Sequence, residues 1–172
     1  LQAYLETHFY NYEEFENPPE GFDYKIQFDT IAGDNSDKIA LINRSELNTR
    51  TVERDDFTYT YYVLKVREGE GKQPTFADST FVTYRGQLLT GESFDGSTQP
   101  VWFDLAGTLD PFTGTNVGTV ITGFRQGLIE FKTATGFTEN PDNTVTFNND
   151  YGKGAVFMPS GIAYFERGPG II

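Results

Sequence analysis

Three stretches hold the residues able to do chemistry. They are Phe81-Val-Thr-Tyr-Arg-Gly86 running on to Gly91-Glu-Ser-Phe-Asp-Gly-Ser97, Val120-Ile-Thr-Gly-Phe124, and Met158-Pro-Ser-Gly-Ile-Ala-Tyr164 running on to Gly168-Pro-Gly-Ile-Ile172. Between them they offer aromatic faces, the hydroxyls of Tyr84 and Tyr164, and the carboxylate of Asp95, which stands beside Phe94. Covalent chemistry has little material. Cysteine is absent and His8 is the lone histidine, so thiol nucleophiles, Ser-His catalysis and Cys- or His-based metal sites fall away. No serine stands in a Gly-x-Ser-x-Gly frame. Asp34-Asn-Ser-Asp37 and the group Asp142, Asn148, Asn149 and Asp150 supply oxygens without the spacing of a calcium loop, and read as solvated acidic loops. Gly69-Glu-Gly71 lacks the Gly and Lys of a phosphate loop, and Asn43-Arg-Ser45 matches a glycosylation acceptor at the level of chance.

The elements that must position these residues are mostly strands. The segment 57–66, Phe-Thr-Tyr-Thr-Tyr-Tyr-Val-Leu-Lys-Val, is rich in aromatic and β-branched types, ends at a Glu-Gly-Glu-Gly turn signal, and predicts a long strand. Residues 79–95 read as strand, tight turn around Thr90-Gly91, and strand, delivering Phe94 and Asp95 side by side. Pro100-Val-Trp-Phe-Asp-Leu105 follows, then a Gly/Thr/Pro loop, then a short helix entry over 120–129. At the front, Leu1, Tyr4, Leu5, His8 and Phe9 recur at helical spacing until Asn17-Pro-Pro19 stops any helix. Tyr24, Ile26 and Phe28 alternate with polar residues and predict a half-buried strand over 24–31, with a loop at 33–37.

Composition sets the outer limits. A chain of 172 residues, 37% hydrophobic, can bury a core, and sixteen Phe with ten Tyr suit a β-rich fold better than a helix bundle. Acidic residues outnumber basic ones 25 to 13, for a net charge of −12, which repels phosphate backbones and excludes nucleic acid as a partner. Most of that excess lies in residues 1–56. No apolar run approaches the ~18 residues of a membrane-spanning helix. Leu1 opens inside a helical pattern without a cap or starting Met, so the chain reads as a fragment, with any signal peptide or lipid-anchored leader lying upstream. There is no internal repeat, and the simplest organisation is an acidic amino-terminal extension over 1–56 (helix end, proline hinge, strand, loop) on a larger domain over 57–172.

On the Phe-Asp pair, the Pro-Ser-Gly-x-Ala-Tyr run and the closing Ile-Ile pair, residues 60–172 resemble the FKBP-type peptidyl-prolyl isomerase family. That resemblance implies an α+β fold, an antiparallel sheet wrapped around one short helix, and a shallow apolar pocket for a proline ring. It implies Tyr84, Asp95 and Tyr164 as the catalytic polar residues, with Tyr164 bonding the substrate carbonyl and Asp95 orienting Tyr84 or a substrate group. Phe94, Phe103, Val120, Ile121, Phe124 and Ile171 are then the substrate-binding surface, Ile171 and Ile172 forming the loop tip. No metal or cofactor is implied, and the partners are proline-containing polypeptides.

The chain also departs from the family pattern. Phe124 stands where tryptophan is usual, Val101 where another aromatic is expected, the basic residue between Asp95 and Pro100 is missing, and the loop before Pro169 is short and lacks histidine. Insertions enlarge the loops over 107–119 and 133–151, and the strand that closes the family's sheet after the Ile-Ile pair is absent. Any single Phe or Tyr here could simply fill a β-sheet core, and Asp95 could be a turn carboxylate satisfied by backbone amides; the joint pattern is what points to a site. The extension, through residues 9–15 and 29–35, resembles that of cell-envelope FKBP-like lipoproteins from Bacteroidetes-type bacteria. Three readings follow: an isomerase of X-Pro bonds in the cell envelope, a non-catalytic binding subunit of an outer-membrane or secretion complex, and a proline-binding chaperone, which needs apolar surface beyond the pocket.

Overall fold

The computed structural model describes residues 1–109, 111–113, 116–117 and 120–164. From the amino terminus its elements are α1 (Gln2–Thr7), β1 (His8–Tyr10), α2 (Tyr12–Glu16), β2 (Phe28–Thr30), β3 (Leu47–Arg54), β4 (Phe57–Arg67), β5 (Ser79–Gln87) and β6 (Ser93–Asp104). They continue with β7 (Thr108–Leu109), β8 (Asn116–Val117), α3 (Thr122–Leu128), β9 (Phe137–Glu139), β10 (Val145–Phe147) and β11 (Lys153–Phe157). The class is α+β, and every described strand pairing is antiparallel. The pairings fall into separate small sheets, the largest being β11-β4-β3 with β4 at its centre. No described helix is long and apolar enough to cross a membrane.

β4 is buried on both faces because its side chains alternate between two cores. Leu64 and, less deeply, Tyr62 and Val66 face a cluster with Leu5, Phe9, Tyr10, Tyr12, Leu41 and Phe157. Tyr61 and Val63, with Tyr59 beside them, face a second cluster with Ile162, Val156 and Met158. The first cluster is built largely by the amino-terminal segment, so residues before 57 supply one core of the sheet. β3 pairs with β4 along its whole length, from Leu47↔Leu64 to Arg54↔Phe57, across a turn in which Asp55 and Asp56 both adopt left-handed φ of 49° and 64°. Two such residues make the turn whose twist matches a two-residue hairpin.

The amino-terminal segment differs from its sequence pattern. The helical spacing of Leu1, Tyr4, Leu5, His8 and Phe9 suggests one helix, yet α1 ends at Thr7. His8 turns extended so that β1 can pair with β2, Phe9 opposite Asp29. The strand expected over 24–31 shortens to 28–30. Tyr24 has φ +55°, and Asn11 caps the strand's approach by accepting from the Gln27 amide at 2.9 Å and donating to the Lys25 carbonyl at 3.1 Å.

Helix α3 lies against β11 through glycines. A Cβ at Gly127 would collide with Val156, and one at Gly123 would sit 2.5 Å from Met158 Sδ. Two polar ties hold the helix. Arg125 Nε donates to the Leu105 carbonyl just past β6. Glu130 accepts from Arg50 of β3 at 2.6 and 3.0 Å and pairs with Lys65 of β4 at 3.0 Å. The Arg50 hydrogen bond, aided by Lys65 and opposed by burial, holds the Glu130 carboxyl below the usual glutamate range.

Two stability predictions follow from these contacts. Leu64→Ala removes a fully buried side chain from the first core and is expected to cost about 2–5 kcal/mol in urea unfolding. Glu130 is more acidic folded than unfolded, so its contribution is complete above the ordinary glutamate pKa and is lost as pH falls through and below it. Glu130→Gln should therefore cost about 1–3 kcal/mol near neutrality, and the gap from the parent should close in urea midpoints measured below about pH 4.

Candidate proline-binding site

The β5–β6 hairpin builds the wall of the site. Its tip closes through the Leu88 amide to the Glu92 carbonyl at 2.8 Å, with Gly91 at φ +88°, a conformation that favours glycine. Register shifts between Val82 and Tyr84 and between Gly86 and Gln87 interrupt the ladder and bring Gly86 opposite Asp95. Bulges of this kind re-aim side chains on a strand. Gly86 also has a packing reason to be glycine, since a Cβ there would lie 2.8 Å from the Phe94 ring. Sequence reading passed over Gly86 as a functional position; a glycine inside a strand pattern was its signal.

Two aromatic groups converge here. Tyr84, Phe103 and Phe124 form a triangle with ring centroids 5.3, 5.0 and 5.8 Å apart, joining β5, β6 and α3. Phe94 meets Tyr164 edge to face at 5.0 Å. Asp95 stands between the two groups: its Oδ2 accepts from the Tyr164 hydroxyl at 3.3 Å, its Oδ1 takes the Gly96 amide at 2.8 Å, and its charge acts on the Tyr84 phenol. Loss of hydration, and then the nearby Asp95 carboxylate, push the Tyr84 phenol above its ordinary value. Tyr84 is therefore a neutral donor across the physiological range.

Val120 and Ile121 stand half-buried at the entry to α3, Ile121 at the position before the first helical residue, with its carbonyl accepting from the Arg125 amide at 3.0 Å. Ile171 lies outside the described residues. His8 stacks on Tyr4 at 3.8 Å in the extension. Of the polar and aromatic site residues read from sequence, Tyr84, Phe94, Phe103, Asp95, Phe124 and Tyr164 are drawn together from segments up to 80 positions apart. The group offers aromatic faces and phenolic donors, with one carboxylate holding the Tyr164 hydroxyl.

No family profile matches the chain, and no solved structure matches it significantly. Over 107 residues, 60% of its length, the chain is 31% identical to a protein of Neisseria meningitidis serogroup B named a probable FKBP-type peptidyl-prolyl cis-trans isomerase, FkpA. The chain spans 29% of that protein's length, and its likeness is to an FKBP-type isomerase.

Proposed function

We propose that this chain catalyses cis-trans isomerisation of X-Pro bonds in protein substrates. The observation that carries the proposal is the gathering of two aromatic groups beside Asp95, which accepts from the Tyr164 phenol, in a chain similar to an FKBP-type isomerase. The chemistry needs no nucleophile. Amide resonance sets a barrier of about 18–20 kcal/mol, while the X-Pro isomers differ by only about 0.5–1 kcal/mol. Twisting the amide removes its resonance and much of its polarity. Dry aromatic walls therefore disfavour the planar ground state relative to the twisted one.

In this reading Phe94, Phe103, Val120, Ile121 and Phe124 cradle the prolyl ring, with Ile171 as loop-tip contact. Tyr164 or the Ile121 amide donates to the substrate carbonyl, and Asp95 keeps Tyr84 and Tyr164 oriented. Placement in the cell envelope, as part of a lipoprotein, rests on the resemblance of residues 9–15 and 29–35 to envelope proteins of this kind. A second reading, a non-catalytic binding subunit of an outer-membrane or secretion complex, is favoured by one observation. The Tyr164 proton is directed at Asp95, so a substrate carbonyl must displace that bond before it can be held.

The test is cis-to-trans relaxation of a short X-Pro peptide. Phe94→Ala should lower kcat/KM by about tenfold or more, the scale of one lost pocket contact. Tyr164→Phe should lower it by about two- to tenfold, the scale of one hydrogen bond. Gly86→Ala, which touches no substrate but displaces the Phe94 ring, should weaken catalysis in the same direction as Phe94→Ala with its urea midpoint measured alongside. A folded parent that leaves the relaxation rate unchanged puts the binding-subunit reading ahead.

A further inference from the structure

The face of the β5–β6 hairpin turned away from the site carries a second aromatic surface. Phe81 and Trp102 are a cross-strand pair, stacked at 4.8 Å, and Trp102 is 68% exposed. Phe137 and Phe147 are the corresponding pair of the β9–β10 hairpin, at 5.8 Å, and Phe147 meets Phe81 at 5.8 Å. Two hairpins thus join through their rings into one exposed ledge, to which Val145 adds an aliphatic side chain. Every residue of β9 and β10 is exposed, so these aromatics are not there to fill a core. The hairpin is closed on itself, Asn140 Nδ2 donating to the hydroxyls of Thr144 and Thr146 and the Thr135 amide to Asp150. It is held at its base by Arg67 of β4, whose guanidinium donates to the Tyr151 and Asn149 carbonyls at 2.6 and 2.8 Å. An exposed, rigidly presented apolar patch of this kind marks an interaction surface.

Charge decides among occupants. Glu139 is paired with Val145, two positions along β9 from Phe137, and therefore lies on the ledge face. Residues 133–152 hold Glu139, Asp142 and Asp150 and no lysine or arginine. Arg85, the basic residue of the β5–β6 hairpin, directs its guanidinium to the Ile26 carbonyl. A concavity lined by Glu139, Asn140, Asn143, Thr144 and Val145 at the outer end of the hairpin provides a carboxylate and amide oxygens for a cationic side chain. Nucleic acid and anionic lipid are repelled, and so is a second copy of a chain with net charge −12. We propose that the ledge formed by Phe81, Trp102, Phe137, Val145 and Phe147 docks an extended, positively charged polypeptide segment bearing aromatic or aliphatic side chains. This docking does not depend on isomerisation.

The sequence supplies its own probe, because Trp102 is the single tryptophan of the chain. Titration with a lysine-rich, leucine-containing peptide that lacks proline and tryptophan should shift Trp102 emission to shorter wavelength and saturate. The same peptide with glutamate in place of lysine should bind at least about tenfold more weakly, a difference of about 1.4 kcal/mol. High salt should weaken the lysine peptide, because surface charges are screened. Phe137→Ser/Phe147→Ser should reduce the affinity, while Phe94→Ala, on the other face, should leave it unchanged. No shift in emission, equal affinity for the two peptides, or loss of binding in Phe94→Ala overturns the proposal. An emission change that follows protein concentration without peptide also overturns it, by assigning the ledge to a second copy. The proline-free probe keeps failure here distinct from failure of the isomerase reading.

Discussion

Strand β4 has to satisfy two cores at once, and the rest of the chain is arranged around that demand. Its alternating side chains place Leu64 in a cluster supplied by the amino-terminal segment and Val63 in one supplied by β11 and the turn after it. A strand apolar on one face fixes its register by burying that face. One apolar on both faces does not, because a slip by one residue exchanges two buried sets. Polar features must then hold the register, and two are present: the Asp55-Asp56 turn that closes β3 onto β4, and Glu130, whose carboxylate is shared by Arg50 of β3 and Lys65 of β4.

The same ion cluster reaches the candidate site. Glu130 lies just beyond α3, and α3 carries Phe124 into the ring triangle with Tyr84 and Phe103. Arg125 ties the helix to the carbonyl following β6, so α3 joins the β11-β4-β3 sheet to a β5–β6 hairpin that shares no described hydrogen-bond ladder with it. Glycines at 123 and 127 let the helix approach β11 closely. The aromatic walls are thus set by a helix held from both sides. The carboxylate of Asp95 holds the Tyr164 phenol, from the turn after β11, by a hydrogen bond.

Much of this was legible in the residues. The aromatic and β-branched run of β4, the glycine turn between β5 and β6, and the helix entry before Thr122 each announce themselves by local chemistry. Tyr84, Phe94, Asp95, Phe103, Phe124 and Tyr164 lie together where a resemblance alone had grouped them. β3 was missed because Leu47–Arg54 is largely polar and its turn is Asp-Asp, not the Asn-Gly or Asp-Gly that signals a two-residue hairpin. The amino-terminal helix was overextended because His8 and Phe9 keep helical spacing while β2, some twenty residues away, draws them into a pairing. Propensity cannot see a partner that far along the chain. The outer ledge was equally hidden, since Phe147 falls in a stretch that reads as an enlarged loop and nothing local marks Trp102 as exposed, while the structure leaves both in solvent contact.

The rings gathered around Asp95 are proposed to receive a prolyl ring. The most direct measurement is a set of intermolecular nuclear Overhauser contacts between a bound X-Pro peptide and the assigned aromatic protons of the protein. Contacts are expected from the prolyl ring to Phe94, Phe103 and Phe124, accompanied by exchange between the peptide's cis and trans signals. Contacts from the prolyl ring to Trp102 and Phe147 alone, with none to Phe94, Phe103 or Phe124, would contradict it.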